Sequence, residues 1–138
     1  MRAMKKLSSI LLIDDDSTTN FLNAMLFKRM DISDTLLVAE NGAAGLDILT
    51  EACAEVTLKC PVLILLDVNM PVMNGIEFLE AYQHLPLTQR QATIVVLLTT
   101  SMHPRDLKRV QHLPIAGRLS KPLTEEKIRG VLREYFPE

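Results

Sequence analysis

Three consecutive carboxylates, Asp14-Asp15-Asp16, follow an apolar run that ends at Ile13, and Asp67 closes a second such run. Two more runs end in other polar groups, Thr99-Thr100 after Ile94–Leu98 and Ser120-Lys121-Pro122 after Ile115–Leu119. Brought together, the carboxylates of Asp14, Asp15 and Asp67 would repel one another and raise each other's pKa values. A hard divalent cation relieves such repulsion, and an all-oxygen donor set suits Mg²⁺. That ion neutralises phosphoryl oxygens during transfer, and a carboxylate is a competent nucleophile toward phosphorus, giving an acyl phosphate. Lys121 offers a point charge, and Thr99 a hydroxyl donor, to phosphoryl oxygens that face away from the metal. Taken singly, each residue has an ordinary role: Asp caps helices and forms turns, Lys before Pro sits on a surface, and Thr favours strands. Their joint placement, each at the end of its own apolar run, makes coincidence a poor account.

The elements that must position these groups are legible in the hydrophobic pattern. Ile10–Ile13, Val62–Leu66 and Ile94–Leu98 are continuous apolar runs, as expected of parallel strands buried on both faces. Leu36–Ala39 and Ile115–Leu119 are weaker candidates for two more. Helical patterns lie between them. Ser17 or Thr18 is suited to cap a first helix, with Phe21, Leu22, Met25, Leu26 and Met30 as its apolar stripe. Asn41 precedes a second, with Ile48, Leu49, Ala52, Cys53 and Val56 on one face, and Gly75, Phe78, Leu79 and Tyr82 mark a third. Pro104 opens a fourth, with Leu107, Val110 and Leu113. Thr124 caps a fifth, in which Leu123 and Ile128 form a hydrophobic staple ahead of Val131, Leu132 and Tyr135. Five strands alternating with five helices imply an α/β fold, a parallel sheet covered by helices on both sides. Sites in such sheets form at the carboxyl ends of the strands, which is where the polar groups fall.

Bulk properties narrow the function classes. A chain of 138 residues suits one domain, and its net charge of −2 argues against binding nucleic acid by phosphate neutralisation. From Ser101 onward, eight Lys or Arg face five acids, leaving this quarter about +3 and the rest about −5. A solvated basic surface is the ordinary explanation of that asymmetry, and a docking face for an acidic protein is the functional one. Cys53 and Cys60 match no metal or redox spacing and read as free thiols in a reducing compartment. No run approaches the roughly 18–20 apolar residues of a membrane span, and the expected location is cytoplasmic. His84, His103 and His112 are scattered among polar neighbours and read as surface histidines.

The segments Ile10-Leu-Leu-Ile-Asp-Asp-Asp16, Leu63-Ile-Leu-Leu-Asp-Val-Asn-Met-Pro-Val-Met-Asn-Gly75, Val95-Val-Leu-Leu-Thr-Thr-Ser101 and Leu119-Ser-Lys-Pro122 resemble the receiver domains of response regulators. The resemblance runs from about Ser8 to Phe136, and its most specific part is the segment beginning at Asp67. It implies a flavodoxin-like doubly wound sheet in the order 2-1-3-4-5, with the whole of 1–138 as a single receiver domain and no output domain. It further implies that Asp67 is the phosphoacceptor, that Asp14 and Asp15 hold Mg²⁺ together with Asp67 and the backbone carbonyl of Asn69, and that Thr99 and Lys121 bind the phosphoryl group. Asp15 and Asp16 remain open as an alternative metal pair. Pro122 would follow a cis peptide bond. The implied donor is a sensor histidine kinase or a phosphotransfer protein. The domain would catalyse only its own phosphorylation and slow dephosphorylation, so it would not be an enzyme in the usual sense.

Two positions depart from the family pattern, and both concern how the signal is passed on. Thr100 is bulkier than the usual small residue after the switch Thr, and Arg118 stands where an aromatic residue is usual. Thr100, Ser101, Arg118 and Pro122 are the expected switch and output positions. A downstream protein, or a second copy of the chain, would then meet the basic C-terminal face, without nucleic acid or membrane as partner. Two rival readings meet obstacles in the sequence. A haloacid-dehalogenase-type phosphatase fits Asp14-x-Asp16-x-Thr18 but needs a further acidic pair after Lys121 and leaves Asp67-Val-Asn-Met-Pro unexplained. A receiver that no longer uses phosphate conflicts with the intact set of Asp14, Asp15, Asp67, Thr99 and Lys121.

Overall fold

The computed structural model describes residues 6–53, 60–85, 93–100 and 104–137. Each apolar run becomes a strand: β1 (Leu7–Ile13), β2 (Ser33–Ala39), β3 (Leu63–Asp67), β4 (Ile94–Thr99) and β5 (Gly117–Ser120). The strands are parallel and ordered β2-β1-β3-β4-β5, as the resemblance implied. The central strands β1, β3 and β4 are buried along almost their whole length, whereas the edge strand β5 alternates half-buried and exposed positions. Pairing of Ile13 with Leu66, Asp67 with Leu98 and Thr99 with Ser120 brings the carboxyl ends of four strands to one rim.

Successive strand residues face opposite sides of the sheet, so the core divides in two. Leu11, Ile13, Ile64, Leu66, Val95 and Leu97 pack on one side against α2 (Gly42–Ala52), α3 (Gly75–Tyr82) and α4 (Pro104–Val110). Ile10, Leu12, Leu63, Leu65, Val96 and Leu98 pack on the other against α1 (Ser17–Met30) and α5 (Glu125–Tyr135). Each such side chain stabilises the fold by roughly 1.5–3 kcal/mol relative to exposure. No helix among the described residues is long and apolar enough to cross a membrane.

The caps explain where the helices begin. Asn41 accepts from the Ala44 amide, and Thr124 from the Lys127 amide. Asn74 and Glu77 form a reciprocal capping box at α3. For α1 the expected cap is corrected: Asp16, not Ser17 or Thr18, accepts from the Thr18 amide at 3.0 Å.

The expected face of α1 is corrected as well. Phe21, Leu22 and Met25 are 63%, 59% and 53% exposed, while Asn20, Asn23, Leu26 and Phe27 are buried. The rotation of a helix is set by where its first turn is pinned, and here Asp16 and Asn20 fix that turn on the end of β1. Two polar residues therefore lie against the sheet and three large apolar ones face outward.

A third correction concerns the cysteines. Cys53, the C-cap of α2, and Cys60, just before β3, are both buried and form a disulfide with Cα atoms 4.7 Å apart. They are not free thiols, and the compartment inferred from free thiols loses that support. Spacing alone could not show that the end of α2 and the approach to β3 lie side by side. Val56, expected on the α2 face, lies outside the described residues.

Candidate functional site

At the rim, Asp14 follows β1, Asp67 ends β3, Thr99 ends β4, and Lys121 follows β5. The carboxylates of Asp14, Asp15 and Asp67 each place an oxygen within 4.8 Å of the others. Asp14 and Asp67 are buried and Asp15 is exposed. Lys121 Nζ bridges the two buried acids, donating to Asp14 Oδ2 at 2.7 Å and lying 3.1 Å from Asp67 Oδ1. The other Asp14 oxygen accepts from the Asp16 amide at 2.9 Å.

This arrangement separates Asp16 from the cluster. Its side chain accepts from Thr19 Oγ1 at 2.8 Å and from the Thr18 amide, bonds that lower its pKa and tie it to the start of α1. Asp67 is different: burial, then the charge of Asp14, raise its pKa, with Lys121 only partly opposing. Burial disfavours the Lys121 ammonium, but its bonds to Asp14 and Asp67 outweigh that and raise its pKa. The donor set is hard oxygen, crowded with negative charge and held near one cation, so it fits Mg²⁺.

The loops around the site are tightly folded. Gly75 donates its amide to the Val68 carbonyl at 2.8 Å, and a Cβ there would collide with the Asp67 carbonyl and approach Val68 Cα to 2.9 Å. A side chain at position 75 would therefore displace the phosphoacceptor candidate itself. Asn69, exposed, stands two residues beyond Asp67. Val72 in the same loop has φ 68° and is 83% exposed. Beyond β5, the Lys121–Pro122 peptide is cis, as expected from the resemblance.

Two residues that sequence reasoning did not assign support the site. Lys127 Nζ donates to the carbonyls of Ser120 at 2.7 Å and Pro122 at 2.9 Å, clasping the loop that carries Lys121. It is one of the eight basic residues of the C-terminal quarter, but its charge is engaged by this loop. Asn20 Nδ2 donates to the Asp14 carbonyl at 2.8 Å. A polar residue on an otherwise amphipathic helix was its only sequence signal.

Of the output positions, Thr100 and Arg118 are exposed, Pro122 lies in the cis loop, and Ser101 falls outside the described residues. Arg118 lines a shallow cavity with Leu107, Val110, Leu113 and Ile115. Arg109 of the basic face is paired with Glu80 at 2.7 Å. A larger groove of about 670 Å³ runs between α1 and the loop before α5, lined by Leu22, Met25, Leu98 and Leu123 and reaching Thr100 and Lys121.

Comparison with known proteins agrees with this geometry. The family model described as "Response regulator receiver domain" matches residues 10–133. "Probable chemotaxis protein CheY" of Rhizobium etli is 29% identical over 127 residues, covering 92% of this chain and 91% of that protein. "Transcriptional regulatory protein CpxR" of Escherichia coli is 32% identical over 134 residues, covering 92% of this chain and 50% of that protein. Among solved structures, a two-component response regulator from Cytophaga hutchinsonii has a TM-score of 0.84 at 30% identity, covering 97% of this chain and 100% of that one.

Proposed function

The chain belongs to the response-regulator receiver family, and on that premise we propose that Asp67 accepts a phosphoryl group from a sensor histidine kinase or a phosphotransfer protein. It is a CheY-like receiver of the two-component class, and its proposed role is that of a signalling module. The observation that carries the reading is the Lys121 ammonium set between the buried carboxylates of Asp14 and Asp67, with Asp15 alongside.

An Asp67 carboxylate oxygen attacks the phosphorus of a phosphohistidine. The P–N bond breaks, the imidazole takes up a proton, and an acyl phosphate forms. Lys121, already between the two acids, turns to a phosphoryl oxygen, and Thr99 donates to another. Asp14, Asp15, Asp67 and the Asn69 carbonyl are the proposed Mg²⁺ ligands; when bound, the ion supplies charge neutralisation for the phosphoryl oxygens. Asp16 is left out of that set because its carboxylate caps α1.

The outward apolar residues of α1 suit the protein donor. Leu22 and Met25 line the groove that reaches Lys121, and Phe21 is exposed on the same helix, so a helix laid there would reach the site. The output reading uses a different face. Arg118 lies exposed on an edge strand, and a guanidinium does not enter an apolar slot without partners for its charge. The signal is then carried by the segment after Thr99, presenting the basic face to an acidic protein or a second copy. The proposed setting is cytoplasmic.

The test is incubation with a small phosphodonor, with and without Mg²⁺, followed by intact mass. One phosphoryl per chain, dependent on Mg²⁺ and absent in Asp67→Asn, supports the reading. Continuous release of inorganic phosphate with no adduct would indicate a phosphatase, and no reaction at all a phosphate-independent module.

A further inference from the structure

We propose that Asn20 is a positioning residue for the metal-binding acids, acting through the peptide that joins Asp14 to Asp15. The inference rests on the receiver reading above. Asp14 is held at four points: its amide by the Ala39 carbonyl at 3.0 Å, its carboxylate by Lys121 and by the Asp16 amide, and its carbonyl by Asn20 Nδ2 at 2.8 Å. Asp15 is held at none, for its exposed carboxylate has no hydrogen bond or ion pair among the described residues. Its oxygen nevertheless lies within 4.8 Å of those of Asp14 and Asp67. With no side-chain partner to aim it, the Asp15 carboxylate is aimed by its backbone. The Asp14 carbonyl belongs to the same peptide plane as the Asp15 amide, so a bond to that carbonyl sets the direction in which Asp15 leaves the chain.

Asn20 is chemically suited to this and poorly suited to its surroundings otherwise. Only the amide NH₂ can face a carbonyl, which fixes the orientation of the group. Its Oδ1 is then left buried, without a hydrogen-bond partner among the described residues, in a side chain that is 6% exposed. A buried acceptor of this kind weakens a fold, and an apolar residue at this sheet-facing position of α1 would avoid it. The donor half of the amide explains the residue; the acceptor half does not.

Asn20→Leu keeps the shape while removing both halves. It exchanges one unpaired acceptor, Oδ1, for another, the Asp14 carbonyl, so melting in metal-free buffer should stay within a few degrees of wild type. Mg²⁺ affinity measured by calorimetry should fall roughly tenfold, the low end of what loss of a supporting contact costs a metal site. The rate of labelling by a small phosphodonor should recover toward wild type at saturating Mg²⁺. Asn20→Ala, which also removes the donor, serves as the second variant. Unchanged Mg²⁺ affinity in folded variants overturns the inference while leaving the receiver reading intact. Loss of folding in both variants also overturns it, by making the role structural. A wild-type protein that binds no Mg²⁺ and takes no phosphoryl group overturns both.

Discussion

Asp67 is a buried carboxylate with a second one beside it, and both facts raise its pKa. Folding therefore favours its protonated form. That contribution to stability is complete below the unfolded value, about 3.9, and is lost as pH rises through the raised folded value. At neutral pH the ionised group weakens the fold. Asp67→Asn should accordingly melt a few degrees above wild type at pH 7 without metal, where 1 kcal/mol corresponds to about 4 °C for a chain of this size. The gain should shrink as pH falls through the carboxylate range. A lower melting point at pH 7, or a gain indifferent to pH, would contradict the electrostatic account. Val72 offers a second case: a β-branched residue at φ 68°, it pays conformational strain for almost no burial. Val72→Asn, which tolerates that conformation, should stabilise the protein by about 1 kcal/mol in denaturant unfolding.

At the level of elements, α1 carries two separate duties. Its inner face, with Leu26 and Phe27, anchors the sheet, and its outer face, with Phe21, Leu22 and Met25, is exposed beside the groove to Lys121. Leu22→Asp with Met25→Asp should slow phosphorylation by a protein donor at least tenfold and leave labelling by a small phosphodonor unchanged. Equal loss with both donors would place the effect in the site and not in docking. The helix is legible as a helix, but its orientation is not, because an apolar stripe ordinarily faces the core and this one does not. The orientation comes from Asp16 capping and Asn20 bonding to Asp14, contacts between a turn and a strand end that no periodicity contains. Strand ends were more legible: Asp67, Thr99 and Lys121 each follow an apolar run, and parallel pairing brings such ends to one rim.

For the whole molecule, the sheet separates the site from the disulfide. Cys53 and Cys60 lie where α2 ends and the chain approaches β3, whereas Asp67 lies at the far end of that strand. Closing a loop this short removes about 2.5 kcal/mol of unfolded-state entropy, so the Cys53→Ser, Cys60→Ser protein should lose about that stability yet still take up phosphate. The basic C-terminal quarter also reads differently as a whole than as a charge count. Arg109 is paired with Glu80 and Lys127 with its own loop, so the surface available to a partner is smaller than the sequence suggested. The central claim of the proposed function is a phosphoryl group at one carboxylate, Asp67. Treating the phosphorylated protein with borohydride reduces an aspartyl phosphate to homoserine, and peptide mass mapping then identifies the residue. Homoserine at position 67 alone is the result expected; homoserine at position 14, 15 or 16, or none at all, would contradict the account.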